Sequence, residues 1–265
     1  MSSTADHSQD SCQSPPTTGD TSASIQTLEN QLAAVEEQHG PDHFEVAIIL
    51  NNLAKAYSDL GDDERQKELP ERALKIQERH FGCGGDHIEL MASTLHNLGN
   101  AYSAQGDFDE MKEMLQRALE IQERHYGPDH YEVAATLVSL GNGFADLGNF
   151  SKQKELLERA LAIQERHYGP DHTVVANTLF SLGNSNGDLG DFTTMKDLLE
   201  RALVIQERHY GPEHLQVAKI LSFLGDAYGD LGDEEKKQKL RDRESAIRAL
   251  HPRKERVPRP QKDNE

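Results

Sequence analysis

The stretch "ERHYGPDHYEVAATLVSLGNGFADLG", Glu123–Gly148, decides the fold. Its first half sets two histidines and an aspartate within six residues, which reads either as metal or catalytic chemistry or as a joint. Close copies of that half stand at Glu165–His172, Glu207–His214 and Glu36–His43. The second half settles the local structure. Val133, Thr136, Leu137, Leu140, Phe144 and Leu147 recur at three- and four-residue spacing, the period of one helix face. Gly148 stops that helix, and Asn149 is a good N-cap for the next.

The next segment, "FSKQKELLERALAIQERH", carries Leu156, Leu157, Ala160, Leu161 and Ile163 on its apolar side. Gly169 ends it and Pro170 blocks continuation. Each unit therefore reads as two antiparallel helices. β-branched runs and alternating patterns are scarce, so no strands are expected.

Self-comparison extends the reading along the chain. Gly99, Gly141, Gly183 and Gly225 are spaced 42 residues apart, and Ala54 lies 45 before Gly99. The three extra residues fall between His80 and Gly99, where "FGCGGDH" replaces the usual "YGPDH". A 42-residue period is also six heptads, but Gly-Asp, Gly-Asn and Gly-Pro breaks interrupt any seam roughly every 20 residues, which excludes a long coiled coil. The expected organisation is a helix over 24–39 and hairpins at about 43–80, 87–125, 130–167, 172–209 and 214–250. Residues 1–23, rich in Ser and Thr, and the basic tail 251–265 read as disordered.

Those residues carry a resemblance. Leu-x-x-Leu-Gly-x-x-Tyr stands as Leu95, Leu98, Gly99, Tyr102, as Leu137, Leu140, Gly141, Phe144, and as Leu221, Leu224, Gly225, Tyr228. The late small residue of the second helix is Ala73, Ala118, Ala160 and Ala202. This pattern resembles the tetratricopeptide repeat, and its length resembles the 42-residue variety of kinesin light chains. The resemblance implies an all-α, right-handed superhelical solenoid of antiparallel helical hairpins that binds peptides or partner helices in a concave groove. The departures are Asn186 in the Tyr slot, Pro70 inside a second helix, and Gln66, Met111, Gln153, Met195 and Lys237 where the family has a small residue. Pro70 predicts a kink or restart, with the glycines after it loosening that joint. The five large residues predict wider helix spacing or side chains snorkelling outwards.

Composition bounds the partners. With 28 basic and 46 acidic residues the formal charge is −18, which argues against nucleic acid or anionic membrane. Cys12 and Cys83 form no disulfide framework and point to a reducing compartment. No apolar run suits a signal peptide or membrane span, so a soluble, cytoplasmic protein is expected.

The histidines read as structure. Zinc requires about four converging donors, and one copy offers only His167, Asp171 and His172. Asp129 with Glu132, Asp42 with Glu45 and Asp86 with Glu89 instead suggest capping boxes, and Asp171 a simple cap. His125, His167 and His209 suit the negative end of a helix. No catalytic residue, metal ligand or cofactor is assigned.

Carried over position by position, the resemblance implies a groove lined by Asn52, Lys55, Asn97, Asn100, Asn142, Asp146, Asn184, Asp188, Asp226 and Asp230. With few cations there, the expected partner is a basic or neutral protein segment. A self-associating structural module is the alternative reading, and a metal or enzyme role for the histidines a lesser one.

Overall fold

The structure is a computed structural model that describes residues 18–81 and 88–251. Among the described residues there are eleven helices and no strand. In chain order they are α1 (Thr18–His39), α2 (Phe44–Leu60), α3 (Asp63–Phe81), α4 (Ile88–Gln105), α5 (Phe108–Tyr126) and α6 (Tyr131–Asp146). There follow α7 (Phe150–Tyr168), α8 (Thr173–Asp188), α9 (Phe192–Tyr210), α10 (Leu215–Asp230) and α11 (Glu234–Leu250). The chain groups into two compact units that divide between His125 and Tyr126.

In the first unit α1 packs on α2, α2 pairs with α3, and α3 packs on α4. Val46, Ala47 and Leu50 of α2 close on Ala73 and Ile76 of α3, with Leu32 and Val35 of α1 alongside. Leu95 and Leu98 of α4 meet Leu74 of α3 and Ala118 of α5. In the second unit α6, α8 and α10 pair with α7, α9 and α11, and each hairpin packs on the next. Its core runs through Val175 and Leu179 of α8, Leu199 and Ala202 of α9, and Ile220 and Leu224 of α10. Each fully buried leucine stabilises by about 1.5–3 kcal/mol. The expected all-α hairpin fold is what the chain adopts. The helix expected at 24–39 begins earlier, at Thr18. Residues 1–17, "GCGGDH" at 82–87 with its Asp86 cap, and 252–265 lie outside the described residues.

Close approach within a hairpin depends on the signature glycine. A Cβ on Gly141 would sit 3.3 Å from Leu157 Cγ, on Gly183 3.1 Å from Leu199 Cγ, and on Gly99 only 2.6 Å from Leu115 Cγ. Ala54 and Pro70 are the same pair of positions in α2 and α3, sixteen residues apart as in the other hairpins. In the register of the other hairpins the two departures fall opposite each other. Pro70 is buried, and α3 runs through it as one helix with no restart. Its ring cannot donate to the carbonyl of Gln66.

A second exchange of size explains the five large residues. Of the two expected outcomes, wider spacing or snorkelling, Gln66, Met111, Gln153 and Met195 do not snorkel, since they are buried. Lys237 is half-buried with its ammonium on Glu234. The facing residues, eight positions earlier, are Ser58, Ser103, Ala145 and Gly187. A Cβ on Gly187 would meet Met195 Sδ at 2.5 Å, and one on Gly229 would meet Lys237 Cδ at 2.8 Å. Volume removed from the first helix is returned from the second.

"ERHYGPDH" is a joint held by ion pairs, carbonyl contacts and ring stacking at the surface. Glu165 pairs with Arg201 at 2.6 Å, Arg166 with Asp129 at 3.2 Å, and Asp171 with Arg208 at 2.7 Å. The Pro170 carbonyl accepts from Arg201 at 3.2 Å, as the Pro128 carbonyl does from Arg159 at 2.8 Å. His167 stacks on Tyr131 and Tyr168 on His172, with ring centroids 4.5 and 4.8 Å apart. Gly169 has φ 87°, a backbone region that L side chains rarely enter. These ion pairs are solvent-exposed, so each is worth about 0–1 kcal/mol.

The cap itself is corrected by the structure. The N-caps of α2, α6 and α8 are His43, His130 and His172, not the aspartates before them, and His214, which follows Glu213, caps α10. Each ring Nδ1 accepts from the backbone N–H two residues on, at 3.2–3.4 Å. Extended φ/ψ at the histidine aims the ring back along the helix start, leaving the aspartate to reach the arginine. Asn149 caps α7 as expected, through the Lys152 N–H.

Two measurements check this account. Gly99→Ala should destabilise by about 1–3 kcal/mol through overpacking, whereas Gly225→Ala, whose Cβ finds only the flexible Arg241 at 3.5 Å or beyond, should stabilise by roughly 0.5–1 kcal/mol. Urea midpoints of the two variants separate these signs. In the same assay His172→Ala should lose about 1 kcal/mol, and His172→Asn, which keeps a capping acceptor, should recover most of it.

Candidate functional site

The expected binding residues lie on the first helices of the hairpins. In the first unit Asn52 and Lys55 are exposed on α2, and Asn97 and Asn100 are half-buried on α4. In the second unit Asn142 and Asp146 are exposed on α6, Asn184 is half-buried and Asp188 exposed on α8, and Asp226 and Asp230 are exposed on α10. Their placement follows from helix phase. The residue after the signature glycine turns away from the hairpin contact, and the position four further on shares its face.

Three of these residues meet. Asn184, Asp188 and Asp230 line one cavity of about 390 Å³ in the second unit. Gln153 forms part of its polar wall, and Phe192, Met195 and Phe223 the apolar part. Gln153 is 4 % exposed, and its Oε1 and the Oδ1 of Asn184 are buried without a hydrogen-bond partner in the protein. Burial pushes the Asp188 carboxyl above its usual range. Asp226 is placed differently, since its carboxylate pairs with Arg241, which also donates to Ser222.

Buried polar contacts beneath this surface were not anticipated. The Gln of each "IQER" is buried, at Gln77, Gln122, Gln164 and Gln206. Gln77 donates to Thr94 at 2.8 Å, Thr178 donates to Gln164 at 2.6 Å, and Gln206 donates to Asn177 at 3.0 Å. The first two bonds join a second helix to the first helix of the following hairpin, and the third joins α9 to α8 within one hairpin. The recurrence of Gln was the available signal, but helical phase alone cannot tell a polar face from a polar contact between neighbours.

The signature tyrosines act in the same direction. Tyr57 donates to Glu29 at 2.7 Å and Tyr102 to Glu71 at 3.2 Å, while Tyr228 donates to Glu200. Arg65, Lys67 and Lys236 lie over the three rings at 4.5–4.8 Å. Burial raises the phenols of Tyr57 and Tyr102, whereas the bond to Glu200 pushes Tyr228 up to about 12. Where Tyr is absent, Asn186 is buried and satisfied: it donates to the Leu182 carbonyl and accepts from Lys154, both at 2.7 Å.

These features define a helical-hairpin repeat protein, an architecture typically used for protein–protein interaction. The chain belongs to the tetratricopeptide repeat family, whose profiles match residues 90–166 and 175–236 and 46–89. No curated protein sequence matches it. Among solved structures, BtubC (BKLC) from P. vanneervenii superposes with TM-score 0.72 at 22% identity, covering 95% of this chain and 100% of that one. A kinesin light chain-type protein of Podosopora anserina, with nearly identical TPR-like repeats, gives 0.66 at 24% identity, covering 80% and 99%. YrrB, a TPR protein with an unusual peptide-binding site, gives 0.52 at 19% identity, covering 83% and 93%. These similarities establish the fold. Among the described residues no helix is long and apolar enough to cross a membrane.

His96 on α4 supplies a pH test. Burial lowers its pKa from 6.5 to about 4, so the folded chain keeps it neutral where the unfolded chain is protonated. Its contribution is complete above pH 6.5 and is lost as the pH falls towards 4. Unfolding free energies at neutral pH and near pH 4.5 should therefore differ less in His96→Gln than in wild type, by about 2 kcal/mol.

Proposed function

We propose that this chain is a non-catalytic scaffold that binds a basic or neutral protein segment along the first helices of its hairpins, in the cytoplasm. One observation carries the reading: the position after the signature glycine or alanine is polar in every hairpin, at Lys55, Asn100, Asn142, Asn184 and Asp226, and lies on the first helix in each. The formal charge of −18 favours a partner that is not acidic. YrrB, similar in fold, is described as having a peptide-binding site. The asparagines of the surface, Asn52, Asn97, Asn100, Asn142 and Asn184, each offer a donor and an acceptor to an extended backbone. Lys55, Asp146, Asp188, Asp226 and Asp230 set its charge.

A second reading, self-association through the terminal helices, is favoured by an apolar depression of about 480 Å³ lined by Leu203, Val204, Leu224 and Leu240. Val204 is 55 % exposed there.

Peptides selected from a display library against the full chain should bind Asn142→Ala more weakly, by roughly 2–10-fold, the loss of one or two hydrogen bonds. Unchanged affinity for every selected peptide removes Asn142 from the surface. Light scattering across a concentration series should give a monomer mass throughout; a rising mass favours the second reading.

A further inference from the structure

We propose that the histidine caps make the array pH-sensitive: mild acid uncaps the starts of α2, α6, α8 and α10 in parallel, while the second helices keep their caps. The device is independent of what the first helices bind.

The two kinds of helix are capped by different chemistry. α2, α6, α8 and α10 start on His43, His130, His172 and His214, whereas α7, α9 and α11 start on Asn149, Asp191 and Asp233. In each histidine Nδ1 accepts the N–H of Glu45, Glu132, Val174 or Gln216, at 3.2–3.4 Å. A ring nitrogen accepts only while it carries no proton, so each cap needs the neutral tautomer with its hydrogen on Nε2. Protonation sets a donor against a donor and puts a cation at the positive end of the helix. The caps are therefore complete where the rings are neutral and are lost as the pH falls through the imidazole range. Asn149, Asp191 and Asp233 accept from Lys152, Thr194 and Lys236 at 3.0–3.1 Å. An amide does not titrate, and carboxylates take their proton only near about pH 4. The hydrogen bonds with Thr194 hold the Asp191 carboxyl lower still.

The surroundings of the rings do not supply a substitute cap. Each ring is half-buried and stacks at 4.3–4.8 Å on the residue four before it, His39, Tyr126, Tyr168 or Tyr210. Asp42, Asp129 and Asp171, next to three of the rings, are held by Arg79, Arg166 and Arg208. Glu36, Glu165 and Glu207 of the preceding helices pair with Arg72, Arg201 and Arg243. Those three arginines and Arg159 also donate to the proline carbonyls of the turns. Glu45, Glu132 and Glu213 stand within two residues of a ring, and pairing with an imidazolium turns that ring off the amide. Two further imidazoles touch these joints, His167 on the ring of Tyr131 and His251 on the Glu213 carbonyl, and neither caps a helix. His96 stays neutral in the folded chain, because burial lowers it to about 4.

The test follows backbone amide exchange by NMR on the full chain, with rates corrected for the intrinsic effect of pH. Between about pH 7.5 and about pH 5.7 the rings become cationic. Protection at Glu45, Glu132, Val174 and Gln216 should then fall roughly three- to fivefold, the loss of one cap each. Lys152, Thr194 and Lys236 should keep theirs. His172→Asn, which caps without titrating, should hold the protection of Val174 across the range while the other three amides still lose theirs. Unchanged protection at the four amides overturns the proposal. An equal loss at the starts of α7, α9 and α11 is general loosening in acid and overturns it too, as does the same fall at Val174 in His172→Asn.

Discussion

Everything in this molecule depends on how closely the two helices of a hairpin approach at one residue. Gly99, Gly141 and Gly183 present no side chain where Leu115, Leu157 and Leu199 come in. With that approach the buried leucines of the first helix are covered on one side by their own second helix. Their other side is left for the second helix of the preceding hairpin. No hairpin can bury its apolar stripe alone, so stability is nearest-neighbour in kind. The contact tolerates exchange of size but not addition. Ala54 with Pro70, and Gly187 with Met195, show two ways in which volume added on one helix is withdrawn from the other.

The joints fix orientation between neighbouring hairpins. Histidine caps start α2, α6, α8 and α10, Asp42, Asp129 and Asp171 turn outwards to Arg79, Arg166 and Arg208, and ring stacking ties the turn to the helix end beside it. Individually these contacts are weak. Their value lies in repetition, and in the Gln77, Gln164 and Tyr bonds that join a second helix to the next first helix. Buried oxygens of Gln77, Gln122, Gln153, Asn184 and Gln206 have no partner in the protein.

Much of this was legible in residue order. Period, helix content and hairpin boundaries follow from apolar spacing and from glycine, because those signals act within one helix or turn. The last-turn histidines and the Asn149 cap were read correctly for the same reason. The other caps were not. Asp-His before a helix fits either residue as cap; the structure gives the cap to histidine, while Asp129 and Asp171 pair with Arg166 and Arg208, each 37 residues further along the chain. Pro70 likewise looked like a break until its packing position opposite Ala54 was visible. Of the residues expected to line a groove, residue order put Asn184, Asp188 and Asp230 on first helices but could not say that they share a cavity, or that Gln153 lines it.

What the sequence determined by itself is thus the repeat, its two-helix unit and the faces each helix presents, since a period of 3.6 residues and a turn of a few residues are local. What only the tertiary structure decided is partnership: which polar group is satisfied by a neighbour, which large side chain fills space left by a small one, and which acceptors remain open. Partnership joins residues tens of positions apart, and its energy depends on distances that residue order does not contain. Gln164 and Gln153 illustrate the difference, as two buried glutamines of one helix. One oxygen accepts from Thr178, and the other is buried without a partner in the protein.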